Sequence, residues 1–170
     1  LPNGNILMIV WEIKTETEAI AAGKNPTYAT ASIWSEKIIE IKPIGSNGAK
    51  VIWEWKAWDH LIQDYDISKS NYGKVGKHPE LIDLNYSNAK DMFHFNSIDY
   101  NEEFDQILIS VHEYDEVFVI DHSTTITEAK VHTGGIYGKG GDILYRFGNP
   151  LAYKRGSSVD HLLNGQHDAN

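Results

Sequence analysis

The sequence predicts an all-β fold, a partial β-propeller made of four-stranded antiparallel blades. Short apolar runs rich in β-branched and aromatic residues recur along the chain, and Asn, Asp and Gly bound them, which is typical of strands. The runs in the two halves of the chain resemble each other in composition and in order. Repeating units of about 40–50 residues with four strands each are typical of propeller blades.

The first half contains three predicted strands and one predicted helix. Thr15–Ala22 is the predicted helix, because Thr15 and Glu18 have the spacing of a capping box and Gly23 is suited to end it. Ser46-Asn-Gly48 is a strong hairpin signal ahead of the third strand. The strands are predicted at residues 5–11, 37–42 and 51–55.

The second half repeats this order with four predicted strands, at residues 96–100, 106–111, 116–120 and 142–147. Three of these runs match the three strands of the first half. We therefore predict parts of a single propeller domain. The first blade, at residues 1–55, lacks its first strand, and a long inter-blade loop follows at residues 56–93. The second blade is at residues 94–147, a second loop is at residues 148–166, and the third blade starts at residues 167–170.

Composition and charge exclude several classes of function. The 170 residues carry a formal net charge of −9, which argues against nucleic-acid binding, since that requires a basic surface. There is no cysteine, so neither a disulfide scaffold nor a thiolate zinc site is expected within these residues. No apolar run approaches the roughly 20 residues of a membrane-spanning helix. Because residue 1 is Leu, we expect a piece of a longer protein. Any leader peptide would lie outside this piece, so its absence here says nothing about export.

The predicted topology brings four histidines to one face of the propeller. His94 and His167 lie at the starts of first strands, His112 at the end of a second strand, and His60 in the loop after a fourth strand. These positions share one face because neighbouring strands of a blade run antiparallel. We expect a site near the central channel.

Each candidate side chain has a functional and a structural interpretation. His167 is suited to act as a nucleophile or general base, or it is a strand-start histidine bonded to a loop carbonyl. His94 and Asn96 are two residues apart in a strand, so they face one side and could bind an oxyanion, or they form a capped turn. His112 precedes the acidic segment 113–116, which is compatible with a metal site but is more typical of a solvated turn.

Other polar and aromatic residues carry weaker signals. Asp121-His-Ser123 contains the residue types of an acyl-transfer triad, but adjacent strand residues point apart and cannot form one. Trp58 is equally suited to stacking on an aromatic ligand and to packing, whereas Trp53 and Trp55 are expected to pack between blades. Arg146 and Arg155 could each hold an anion, but surface ion pairs are the favoured interpretation.

Six segments together resemble the bacterial arylsulfotransferase (aryl-sulfate sulfotransferase) family. They are Leu1-Pro-Asn-Gly-Asn-Ile-Leu7, Trp53-Glu-Trp-Lys-Ala-Trp-Asp-His-Leu61, His94-Phe-Asn-Ser-Ile98, Val119-Ile-Asp-His-Ser-Thr124, Gly140-Gly-Asp-Ile-Leu-Tyr-Arg-Phe-Gly-Asn-Pro150 and Gly165-Gln-His-Asp-Ala169. The resemblance implies a six-bladed propeller that is periplasmic or secreted. It also implies transfer of a sulfuryl group from an aryl sulfate to a phenol, without a nucleotide, a metal or another cofactor.

The resemblance also implies roles for individual residues. His167 would carry the sulfuryl group between two half-reactions, and His94 and Asn96 would bind its oxygens. His112 stands where the well-studied branch of the family has an arginine, and a histidine is a weaker, pH-dependent anion ligand. His60 is a further substrate-binding candidate, and the loop around Trp58 could hold the aryl ring.

Three functional hypotheses follow from these observations. The first is an aryl-sulfate sulfotransferase with a sulfohistidine intermediate and ping-pong order. The second is a non-catalytic propeller that binds a ligand, and the third is a metal-dependent hydrolase built on the histidines. In the first hypothesis the remaining blades of the parent chain complete the channel, so this piece alone is expected to be inactive.

Overall fold

The first antiparallel sheet has three strands in the order β1-β2-β3. The computed structural model describes residues 1–29 and 32–169. The helix α1 spans Glu16–Ala21, and Thr15 and Glu18 form the predicted capping box. Gly23 follows it with a φ of 93°, which only glycine adopts readily. The strands are β1 (Ile6–Lys14), β2 (Ile33–Ile44) and β3 (Gly48–Lys56).

A short parallel pair lies between the two larger sheets in sequence. It consists of β4 (Leu61–Ile62) and β5 (Ile82–Asp83). The connecting segments also contain single turns of 3₁₀ helix, at Pro26–Tyr28, Ala57–His60, Val75–Lys77, His112–Tyr114, Glu128–Lys130, Pro150–Tyr153 and Ser158–Asp160. Within the described residues, no helix is long and apolar enough to cross a membrane.

The second antiparallel sheet has four strands in the order β6-β7-β8-β9. The last strand is shorter than predicted because the backbone N–H of Ile143 donates to the carbonyl of Glu80 in the long loop. Pairing with β8 therefore begins only at Leu144. The strands are β6 (Phe95–Asn101), β7 (Gln106–Val111), β8 (Glu116–Asp121) and β9 (Tyr145–Phe147).

The predicted antiparallel β-rich fold is confirmed. One sheet of three strands and one of four appear where a first blade lacking one strand and a full second blade were expected. The described residues do not form a closed ring, so the propeller and its blade boundaries stay predictions. Residues 166–169 are not in a strand, although the third blade was expected to start at His167.

Two tryptophans of β3 connect the first sheet to the second half of the chain. Trp53 is 4% exposed and donates its indole N–H to the Thr124 hydroxyl, with 3.1 Å between Nε1 and Oγ1. Trp55 is fully buried and donates to the Gly141 carbonyl at 2.6 Å. Both side chains lie in the hydrophobic core with residues of β7 and β8. The prediction that they pack is confirmed.

Arg146 and Glu116 form a buried pair, contrary to the expected surface ion pair and solvated turn. Two nitrogens of Arg146 donate to the Glu116 carboxylate, and a third donates to the carbonyls of Pro79 and Leu81. The sequence could not indicate this pair because it depends on how β8 and β9 align. Burial raises the pKa of Glu116 to about 7, although the Arg146 guanidinium opposes the shift. Arg155 also departs from the expected ion pair, since its Nε donates to a backbone carbonyl.

Candidate functional site

Three of the four predicted histidines converge at one end of the second sheet. The ring centroids of His94 and His112 are 5.0 Å apart, those of His112 and His167 are 4.8 Å apart, and those of His94 and His167 are 6.0 Å apart. His94 immediately precedes β6, and His112 immediately follows β7. The three imidazole rings therefore lie next to one another.

The backbone around His94 reaches this arrangement differently from the regular strand that was expected. His94 has a φ of 51°, in the left-handed region. The register of β6 shifts between Phe95 and Ser97, which places Asn96 in a β-bulge. Even so, Asn96 faces the segment that carries His167, since its amide donates to the carbonyl of Gln166 at 2.8 Å.

Gln166 holds His167 beside the sheet. Its side-chain amide donates to the carbonyl of Val111 at 3.2 Å and to that of Glu116 at 2.8 Å. These carbonyls lie at the end of β7 and the start of β8, so the contacts fix the segment against the same sheet end as His112. Gln166 was not a predicted site residue, although it lies within the segment 165–169 that carried the resemblance.

Asp115 provides a second attachment for the same segment. Its carboxylate accepts a hydrogen bond from the backbone N–H of Gly165 at 2.7 Å and contacts Nε2 of His161 at 3.0 Å. Asp115 was expected in a solvated turn, and the structure instead gives it a positioning role. The backbone N–H of Ala169 adds a bond to the hydroxyl of Ser97 at 3.0 Å.

The hydrogen bond of His167 determines which ring nitrogen is free. Nδ1 lies 3.0 Å from the carbonyl oxygen of Gly165. A carbonyl oxygen can only accept, so Nδ1 carries the proton and the neutral ring has its lone pair on Nε2. The His167 side chain is exposed. In its neutral form, the ring therefore presents an accessible lone pair on Nε2, as a nucleophile requires.

His94 is oriented by a pair of carboxyl groups that sequence analysis did not identify. Nδ1 of His94 lies 2.8 Å from Oδ2 of Asp91. The other oxygen of Asp91 and one oxygen of Glu36 are buried and without hydrogen-bond partners. Burial and the Asp91 carboxyl raise the pKa of Glu36 to about 9, so Glu36 is protonated near neutral pH. A proton on Glu36 can supply the hydrogen-bond donor that this oxygen of Asp91 lacks.

Unpartnered polar atoms concentrate around these histidines. Within residues 1–29 and 32–169, eight buried side-chain oxygen or nitrogen atoms have no hydrogen-bond partner. Five of the eight belong to the neighbourhood of the site, in Glu36, Asp91, Asn96, His112 and Gln166. Buried polar groups in folded proteins are nearly always hydrogen-bonded, so such a concentration indicates where a ligand or water binds. Nδ1 of His112 is among these unpartnered atoms. The Glu113 carboxylate lies 3.3 Å from it, but that contact lacks the alignment of a hydrogen bond.

A cavity of about 310 Å³ adjoins His94. Its apolar walls are Ile9, Trp11 and Phe95, and its polar wall consists of His94 with the two carboxyl groups that orient it. An aromatic ring fits the apolar side of such a cavity. None of these three apolar residues was predicted to contact a substrate.

His60 and Trp58 lie apart from the three converging histidines. The His60 side chain is fully buried, and its ring nitrogens contact Asp142 and the carbonyl of Ala129, each at 2.9 Å. Trp58 lines a different open cavity of about 560 Å³, and the ammonium of Lys14 lies 5.2 Å from its ring centroid. The structure therefore does not bring these two predicted substrate contacts to the same place as His167.

The segment 121–123 does not form a triad, as expected. The Ser123 hydroxyl donates to the carboxylate of Asp121 at 2.6 Å. The His122 ring turns away and contacts the carboxylates of Asp105 at 2.7 Å and Glu40 at 3.0 Å.

Comparison with known proteins gives one match. The family model described as "Arylsulfotransferase (ASST)" matches residues 1–128. The matched region contains His94, Asn96 and His112, and His167 follows it in the chain. No curated protein matches the chain, and no solved structure does.

Proposed function

The chain belongs to the arylsulfotransferase family, and we propose that His167, His94, Asn96 and His112 form its sulfuryl-transfer site. The observation that carries this proposal is the convergence of three histidine rings from distant parts of the chain, with centroids 4.8–6.0 Å apart. One of these rings, in its neutral form, has an accessible nitrogen lone pair, and its neighbours offer hydrogen-bond donors. This is the combination that transfer of an anionic group requires.

In the first half-reaction, Nε2 of His167 attacks the sulfur of an aryl sulfate. The nitrogen lone pair forms an N–S bond while the S–O bond to the aryl group breaks, and the electron pair leaves with the phenolate. The Gly165 carbonyl supports this step because it accepts from Nδ1–H and stabilises the positive charge that develops on the ring. The product is a sulfohistidine and a phenolate that needs a proton.

His94 supplies that proton in the proposed mechanism. The Asp91 carboxylate accepts from Nδ1–H and fixes the ring, and the imidazolium form of His94 can donate its Nε2–H to the leaving phenolate. In the second half-reaction the neutral ring takes the proton from an acceptor phenol. The phenol oxygen then forms an S–O bond as the N–S bond of His167 breaks, and both residues return to their starting states.

The sulfuryl oxygens need donors throughout both steps. Asn96 uses one amide hydrogen on the Gln166 carbonyl, so its second hydrogen is available. His112 can donate from either ring nitrogen, and its buried Nδ1 lacks an aligned partner. These donors act where charge accumulates, which is worth more in a partly buried site than in water.

The cavity beside His94 is the proposed binding place for the aryl ring. Trp11, Ile9 and Phe95 provide apolar contacts directly next to the proposed acid. This assignment replaces Trp58, which lines the other cavity. Trp11→Ala should therefore raise the KM for aryl sulfates more than Trp58→Ala does.

The proposal is tested with the full-length protein. Release of nitrophenol from 4-nitrophenyl sulfate is followed with and without added phenol, in wild type and His167→Ala. Release that rises with phenol and is lost in His167→Ala supports sulfuryl transfer by this histidine. His78→Ala is the matched control, because His78 is an exposed histidine paired with Glu80.

Two other outcomes favour different functions. The replacement of the family arginine by His112 is the observation that supports a ligand-binding protein without catalysis, and absence of release from any aryl sulfate would favour it. Release that ignores phenol and requires a metal ion would favour a hydrolase.

A further inference from the structure

A second cluster of ligand-type side chains lies outside the sulfuryl-transfer site. It consists of His60, His132 and Asp142, whose ligand atoms all lie within 4.8 Å of one another. Oδ1 of Asp142 is 2.9 Å from Nδ1 of His60 and 2.7 Å from Nδ1 of His132. Within residues 1–29 and 32–169, this is the one group of three His, Asp or Glu residues that meets this spacing.

The tautomer of His60 directs a lone pair at the centre of the cluster. Its Nε2 lies 2.9 Å from the carbonyl oxygen of Ala129, which can only accept, so Nε2 carries a proton. In the neutral ring, Nδ1 then has a lone pair that faces the Asp142 carboxylate, another acceptor. Two buried acceptors in contact are unfavourable unless a cation or a second proton lies between them.

The contact between His60 and Ala129 also has the form of a support for a metal ligand. Histidines that bind a metal commonly donate their other ring N–H to a backbone carbonyl, which fixes the tautomer and the ring orientation. Trp55 adds to this restraint, since its ring is stacked on that of His60 with an interplanar angle of 5°. The His60 ligand atom is therefore held in place before any ion binds.

The spacing suits a small transition-metal ion. Ligands about 2.0–2.1 Å from a tetrahedral Zn²⁺ lie about 3.3 Å apart. The two Nδ1–Oδ1 distances, 2.9 and 2.7 Å, would have to open by only about half an ångström. The distance between His132 and Asp142 can open by that much, because the His132 side chain is 60% exposed. Its exposure leaves room for a water molecule as the fourth ligand.

We propose that His60, His132 and Asp142 bind a divalent transition-metal ion of the Zn²⁺ type. Two imidazoles and one carboxylate favour such an ion over Ca²⁺ or Mg²⁺, which prefer oxygen ligands. His60 follows β3, His132 follows the 3₁₀ turn Glu128–Lys130, and Asp142 precedes β9. The bound ion joins these three loops and stabilises the folded protein, because it binds only where the three ligands meet.

Zinc binding to the full-length protein tests this proposal. The protein is treated with a chelator and desalted, and uptake of Zn²⁺ is measured by calorimetry, with Co²⁺ absorption reporting the ligand geometry. The informative variant is His132→Ala, since an exposed side chain can be removed without disturbing the core. His78→Ala is the matched control, because His78 is also exposed and lines the same 560 Å³ cavity as His132.

We expect one ion per chain to be bound, and His132→Ala to weaken binding by about tenfold or more. Asp142→Asn should have a similar effect, and His78→Ala should have none. Zn²⁺ should also raise the unfolding temperature of the wild type and not that of His132→Ala. The proposal is overturned if no Zn²⁺ binds near neutral pH, which would leave an imidazolium–carboxylate contact as the explanation. It is equally overturned if binding survives in His132→Ala and is lost in His112→Ala.

Discussion

The protonation of Glu36, next to Asp91, can be tested quantitatively. Burial and the Asp91 carboxyl raise the pKa of Glu36 to about 9, from an ordinary value of 4.5. At pH values between these two, the folded protein therefore keeps a proton that the unfolded chain has already released. Because the folded state binds more protons in this window, the free energy of unfolding falls as the pH rises through it.

Glu36→Gln removes this titration, since glutamine is a neutral group of the same shape as the protonated carboxyl. One proton retained by the folded state corresponds to about 1.4 kcal/mol of stability per pH unit. Between about pH 5 and about pH 8, the wild type should lose about 4 kcal/mol relative to Glu36→Gln. Other titrating groups are shared by both proteins and largely cancel in the difference.

The measurement is urea denaturation of the full-length protein at a series of pH values. Glu128→Gln is a suitable control, because hydrogen bonds from Thr125 lower the pKa of this exposed carboxyl. The stability that Glu128 contributes is present above its unfolded pKa and lost as the pH falls, so Glu128→Gln should not change the alkaline loss. Parallel curves for the wild type and Glu36→Gln between about pH 5 and about pH 8 would refute the assigned proton.

Three further predictions concern the site and its support. Asp91→Asn should lower kcat about tenfold or more and shift the pH profile, because an amide does not stabilise the His94 imidazolium; an unchanged profile would remove Asp91 from the mechanism. His112→Arg should strengthen binding of the sulfuryl group and make it less dependent on pH, and weaker binding in steady-state kinetics would contradict this. Arg146→Met should destabilise the protein by about 3–5 kcal/mol in urea denaturation, since it leaves the buried Glu116 carboxylate unpaired, and a loss below about 1 kcal/mol would contradict a buried pair.

Local features were predictable from the sequence because their causes lie within a few residues. The capping box of Thr15 and Glu18 uses a contact across three positions, and the predicted helix and its Gly23 end are both present. Strand β7 spans the six residues predicted, because a β-branched apolar run is a local signal. The order of strands in each sheet followed from the repeat.

The meeting of His94 and His112 was predictable from topology, whereas His167 joins them without the strand that was expected to begin there. A histidine before one strand and another after its antiparallel neighbour must lie at the same end of a sheet. His60 did not follow this rule, because its loop turns into the core and its ring is taken up by Asp142 and Ala129.

The supporting groups could not be predicted because each contact joins distant segments. Glu36 lies in β2 and meets Asp91 only after the long loop folds back, through bonds between Trp34 and the backbone of Lys90 and Met92. The partners of Arg146 depend on strand register, and those of Gln166 depend on where the last segment docks. No local pattern in the sequence encodes these distances.

Whether His167 carries the sulfuryl group can be measured directly. The full-length protein is mixed with 4-nitrophenyl sulfate without an acceptor, digested and analysed by mass spectrometry. We predict one sulfuryl group on the peptide that contains His167, lost when phenol is added and absent in His167→Ala. Nitrophenol release with no labelled peptide, or with the label on His94 or His112, would contradict sulfuryl transfer through His167.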